Sequence, residues 1–180
     1  MEPSSTNVSS KCRRAHEKVA GQAEHLLGLA LGSDEQFLFR SAPVSAWNVG
    51  QHLDHLAKTN REIAGAIRKI LAGEAGPSRS APTFVGRAVL LSGWIPRGAG
   101  KAPGYTTPDA TSPEQIKDDL RSSLEAVSGL GEALAEIGES RGRGDHFAFG
   151  GLTPMQWLRT MDVHTRHHLK IIREIDRATT

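Results

Sequence analysis

Residues 153–175, TPMQWLRTMDVHTRHHLKIIREI, decide the fold class of this chain. Trp157, Met161, His164, His168, Ile171 and Ile175 follow at steps of 4, 3, 4, 3 and 4, the spacing of one face of an α-helix. Thr153 before Pro154 has the chemistry of a helix start: a hydroxyl that can cap, then a residue whose missing N–H is not needed in the first turn. The stripe is apolar except for two imidazoles, which places His164 and His168 toward the core on adjacent turns. Burying two such rings costs free energy unless each has a hydrogen-bond partner or a metal, and two charged rings side by side would be worse. A shared metal removes both penalties; hydrogen-bonded core histidines are the plain alternative. His167 lies about 100° around the helix from His168 and reads as a supporting or surface residue.

The same periodicity recurs upstream. In residues 12–31, Val19, Ala23, Leu26, Leu27 and Ala30 keep helical spacing up to Gly32, and residues 34–43 read as a connection. Residues 48–72 carry Val49, Leu53, Leu56, Asn60, Ile63, Ile67 and Ile70 at steps of three and four, with Gly73 as a stop. Thr111-Ser112-Pro113-Glu114 opens a third segment through Ile116, Leu120, Leu124, Val127, Leu130, Leu134 and Ile137. Four long amphipathic segments without alternating strands predict an all-α chain folded as a four-helix bundle. Residues 73–112, between helices two and three, are rich in Gly and Pro and form a long insert. The expectation there, over 77–108 especially, is loop around a short helix at about 83–91, a kind of segment that often serves as a lid or pocket wall. The domain is expected over 12–177, with 1–11 as a flexible N-terminal segment.

A chain of 180 residues suits one domain with a sizeable core. The single Cys12 excludes an internal disulfide and a cysteine-based zinc site, as suits a reducing, cytoplasmic setting. No stretch has the length and apolarity of a signal or a membrane span, so no membrane partner is expected. The net charge is +2, with basic and acidic residues interspersed, and three Trp, one Tyr and five Phe supply no stacking platform; nucleic acid is not an expected partner.

A second histidine-bearing segment is residues 47–56, WNVGQHLDHL. His52 sits nearer the centre of the Val49/Leu56/Ile63 stripe and His55 at its edge. Periodicity favours His52 as a third ligand, whereas reach toward the last helix favours the edge. A further histidine, His146, lies in residues 144–154, GDHFAFGGLTP, just before the last helix.

Residues 47–57 (WNVGQHLDHLA), 149–153 (FGGLT) and the spacing His164-x-x-His167-His168 together resemble the DinB-like superfamily, especially its bacillithiol-transferase-type members. The resemblance spans nearly the whole chain as an arrangement, although the 77–108 insert has no counterpart in it. It implies a four-helix bundle with a three-histidine metal centre, often dimeric, so a homodimer is expected. The helix-two ligand of the motif stands eight residues after the tryptophan and before an apolar residue, which is His55 here; the two terminal ligands match His164 and His168. Three neutral nitrogens suit a divalent metal, zinc or nickel first and iron or manganese after them.

The activity that the resemblance implies is a metal-dependent thiol S-transferase acting on a small molecule, with a low-molecular-weight thiol as co-substrate. The alternatives are a hydrolase using activated water and a non-catalytic, dimerising, stress-associated metal-binding scaffold. Asp54, His146 and Asp162 are the candidates for orienting groups or moving protons. Arg97 and Lys101 in the insert could attract an anionic group of a cofactor or substrate. Cys12, although flanked by Lys11 and Arg13, is not expected to act as the nucleophile.

Overall fold

A computed structural model describes residues 5–32, 34–98, 100–110 and 112–179. Among them are six α-helices: α1 (Ser5–Ala30), α2 (Val49–Leu71), α3 (Phe84–Ser92), α4 (Pro113–Ser128), α5 (Leu134–Glu139) and α6 (Pro154–Thr179). The chain is mostly helical, as expected. Helix α1 begins at Ser5, so much of the segment expected to be flexible over 1–11 is helical; residues 1–4 lie outside the described residues.

Local chemistry sets the helix ends. Asn48 caps α2 by accepting from the Gln51 amide, while the Gln51 side chain accepts from the Asn48 amide, a reciprocal capping box. Ser112 caps α4, with Pro113 in the first turn; Thr111, named in the same expected start, lies outside the described residues. Helix α3 is capped by Thr83 and stops at Gly93, whose φ of 66° suits a residue without Cβ.

The third long segment departs from expectation. It does not run unbroken to Ile137 but changes to a 3-10 turn at Gly129–Ala133 before α5. The carbonyls that would continue α4 are taken by side chains: Arg68 donates to Ala126 O at 2.8 Å and the His16 ring to Val127 O at 3.0 Å. Apolar spacing cannot register that interruption, because Leu130 and Ile137 remain buried on either side of it.

The four long helices pack on one another, α2 against α4 and α6, and α1 against the same two. Their apolar faces form two clusters. One gathers Val19, Ala23, Ile63, Ile67, Val127, Leu130, Trp157 and Met161, and the other Leu26, Leu53, Leu56, Ile116, Leu120, Leu169, Ile172 and Ile175. Each fully buried Leu or Ile contributes roughly 1.5–3 kcal/mol. Asn60 and Thr165, both buried, separate the clusters along α2 and α6.

A small antiparallel hairpin, β1 (Gly144–His146) and β2 (Gly150–Leu152), corrects the all-helical expectation. It precedes α6 and is bound by the α2–α4 connection: Gly151 N–H donates to Ala81 O at 3.2 Å and Thr83 N–H to Phe149 O at 2.8 Å. A side chain at Gly151 would collide with the Arg79 carbonyl, which explains glycine there. Residues 73–112 otherwise hold α3, close to the expected short helix, and a 3-10 turn at Gly104–Thr106.

Candidate metal centre

Helix α2 presents His52 and His55, and α6 presents His164 and His168, to the space between them. One ring nitrogen from each of His55, His164 and His168 lies within 4.8 Å of the others, an arrangement that could hold a metal ion. His55 and His168 are buried and His164 is partly exposed.

Hydrogen bonds select which nitrogen each ring offers. His55 Nδ1–H donates to the Thr106 carbonyl at 2.7 Å, leaving Nε2 as its lone-pair donor. That Nε2 lies 3.2 Å from His164 Nε2. Two nitrogens bound at 2.0–2.1 Å in a tetrahedron stand about 3.3 Å apart, so the pair has the spacing of co-ligands. His168 Nδ1 lies 2.9 Å from His52 Nδ1, and His52 Nε2 lies 3.0 Å from Ser45 Oγ. With Nδ1–H of His168 donating, His52 accepts and passes its own proton-bearing Nε2 to Ser45, which also accepts from the Trp47 amide at 3.1 Å. Nε2 of His168 is thereby left for the cluster. His164 Nδ1 is buried with no hydrogen-bond partner among the described residues. The donor set is thus three imidazole nitrogens with two of the three rings anchored from behind, which fits a divalent ion of borderline softness.

Electrostatics keep the rings ready to ligate. Burial, then the neighbouring positive groups, hold His164 and His168 well below the ordinary imidazole range. Burial also lowers His55, against the opposing Thr106 hydrogen bond and the Asp54 charge, and with neighbouring charges it brings His52 to about 4. Neutral imidazole is the form a metal requires, and at pH 7 no proton has to be displaced from a charged ring.

The other expected residues are dispersed. Asp54 is buried on α2, but its Oδ2 accepts from Lys58 and from the amides of Asp109 (2.8 Å) and Ala110 (3.0 Å). It therefore pins the α2–α4 connection, whose Thr106 carbonyl anchors His55. His146 stacks between Phe149 and Phe147, and its Nδ1 accepts from the amides of Ala148 and Phe149 at 3.2 and 3.1 Å, so it closes the hairpin turn. Asp162 faces away from the imidazoles and binds Lys18, Gln22, Arg159 and Arg166. Arg97 pairs with Glu174 of α6, Lys101 is exposed, and His167 has the Ile95 backbone as a partner. Cys12 is fully buried, and burial raises its thiol pKa.

Three contributors were not expected from sequence: Ser45, the Thr106 carbonyl and the Trp47 ring, which packs 5.1 Å from His55 and 6.2 Å from His168. Trp47 belongs to the quoted motif, so a signal existed for it. Thr106 acts through its backbone and leaves no trace in residue type.

Among the described residues no helix is long and apolar enough to cross a membrane. No curated protein and no solved structure matches the chain significantly. The sequence pattern of the DinB superfamily matches residues 16–172, a stretch that contains α2, α4 and the entire histidine cluster together with most of α1 and α6. This chain belongs to the DinB superfamily.

Proposed function

We propose that the chain forms a four-helix bundle of DinB type, α3 and the 73–112 connection being its insert, that holds one divalent metal ion through His55, His164 and His168 and uses it for group transfer on a small molecule. The observation that carries the metal assignment is the convergence of three imidazole nitrogens, two of whose rings are anchored through their opposite nitrogens by Thr106 and His52. A bound divalent ion supplies Lewis acidity, which lowers the pKa of a thiol or water at neutral pH. Partial exposure of His164 favours access by an external molecule over a sealed, purely structural site.

The residues around the cluster have separable tasks. His55, His164 and His168 bind; Thr106 and the His52–Ser45 pair orient; Trp47 walls the cluster with apolar surface. The resemblance in residues 47–57 and 149–153 supports a low-molecular-weight thiol as the attacking group, which gives a thiol S-transferase, and supports a homodimer. Hydrolysis by activated water is the second reading, favoured by the same partial exposure of His164.

Elemental analysis after identical purification tests the ligand set. One metal per chain is expected in the wild type, with loss in His55→Ala, His164→Ala and His168→Ala; stoichiometric retention in all three would end the proposal. A screen of electrophilic substrates with and without added thiol then separates transfer from hydrolysis. Cys12→Ser should leave that turnover largely intact, because its thiol is buried and protonated, whereas His164→Ala should abolish it.

A further inference from the structure

On the opposite side of α6 from the imidazoles lies a cavity of about 440 Å³ between α1, α3 and α6. Its floor is apolar, made by Ala15, Leu90, Met155 and Leu158, and its wall carries Lys11, Lys18, Arg159 and Asp162. At 100° per residue, Asp162 and His164 point about 200° apart on α6, so this space is separate from the histidine cluster.

The charges on the wall do not balance. Asp162 is nearly buried and accepts from Lys18 at 3.0 Å, Arg159 at 2.8 Å, Arg166 at 2.9 Å and Gln22 at 2.9 Å. A single carboxylate thus serves three cations, and Lys11 adds a fourth along the same groove. Lys18, Arg159 and Arg166 each keep a substantially exposed side chain, 50%, 39% and 40%, so donors remain beyond those Asp162 occupies. Arg159 is also held from behind, its Nε lying 3.5 Å from the Leu90 carbonyl at the end of α3. The guanidinium is therefore oriented, and a second anion would meet it without a large loss of side-chain entropy.

We propose that this groove binds an amphiphilic anion, a carboxylate or phosphate monoester head on an aliphatic body. The head replaces the missing negative charge between Lys11, Lys18 and Arg159, and the body lies on Ala15, Leu90, Met155 and Leu158. Neither half suffices alone. A small inorganic anion gains only solvent-screened contacts with partly exposed cations, and a neutral chain leaves the charge surplus unanswered. The volume falls in the range of small-ligand pockets, roughly 300–1,000 Å³.

The test uses the full-length protein and four probes: decanoate, decyl phosphate, decanol and inorganic phosphate. Calorimetry should show saturable 1:1 binding of decanoate or decyl phosphate, with a Kd on the order of 0.1 mM. Whichever of the two binds more tightly identifies the head group. Decanol and inorganic phosphate should each bind at least about tenfold more weakly than that probe. Methyl NMR signals of Ala15, Leu90, Met155 and Leu158 should shift on saturation. Lys18→Gln and Arg159→Gln should each weaken binding about tenfold, while Arg87→Gln, on α3 but outside the groove lining, should not change it. The wild-type series decides the question even if a variant folds poorly. Absence of binding by both amphiphilic anions, equal binding of decanol or of inorganic phosphate, or shifts confined to methyls outside the groove would overturn the assignment.

Discussion

Replacing His52 by alanine should weaken metal binding without removing a ligand. In the folded chain His52 Nδ1 faces His168 Nδ1 at 2.9 Å, and its Nε2 faces Ser45 Oγ at 3.0 Å. Truncation leaves the His168 Nδ1–H buried without an acceptor, and the ring is free to turn away from the orientation that aims Nε2 at His55 and His164. Loss of such an orienting partner typically lowers metal affinity about 10- to 100-fold, or about 1.4–2.7 kcal/mol at 1.4 kcal/mol per tenfold. A zinc titration against a chromophoric chelator measures this directly, with thermal melting of the metal-free variant as the control for folding. His52→Asn, whose side-chain amide can place an acceptor near the lost Nδ1, should recover much of the affinity. An affinity within about twofold of wild type in a well-folded His52→Ala protein would refute the orienting role. Loss of 1:1 stoichiometry would instead make His52 a ligand, as its central position on the α2 stripe indicates.

Three further outcomes follow from the geometry. Asp54→Ala should release the 104–110 strap, since Asp109, Ala110 and Lys58 all donate to Asp54; a loss of roughly 2–4 kcal/mol in urea unfolding, with faster amide exchange at Asp109 and Ala110, is expected, and unchanged exchange there would contradict it. Gly151→Ala should unseat the hairpin from the 79–83 segment, because the added methyl meets the Arg79 carbonyl; amide exchange at position 151 and at Thr83 should rise in the variant, and wild-type protection would count against the packing. Burial holds His146 at about 4 against an ordinary value of 6.5. The unfolded chain therefore binds the additional proton first, and this contribution to stability is full above about pH 6.5 and is lost as the pH falls toward 4. His146→Asn should reduce the slope of that part of the pH–stability curve by its own share, the buried histidines of the cluster supplying the rest, and a slope equal to wild type would show that His146 does not contribute.

Periodicity alone was enough to locate α1, α2 and α6, because a helix that buries one face must repeat its apolar residues near 3.6, and the caps at Asn48 and Ser112 are local chemistry. The same reasoning exposed His164 and His168: polar rings on an apolar stripe conflict with burial unless something answers their lone pairs. It ranked His52 above His55, since distance from a stripe centre measures burial and not the direction of a neighbouring helix. The packing of α2 against α6 brings His55 Nε2 to His164 and sets His52 behind His168. Asp54, His146 and Asp162 were indistinguishable as sequence neighbours of the cluster. Only the fold turns the first to the strap, the second into a hairpin turn and the third to the opposite groove. The anchoring Thr106 carbonyl and the break at Gly129–Ala133 depend on contacts between residues far apart in the chain, His55 with Thr106 and Arg68 with Ala126. Such pairings have no period and no residue signature, so tertiary structure alone decides them.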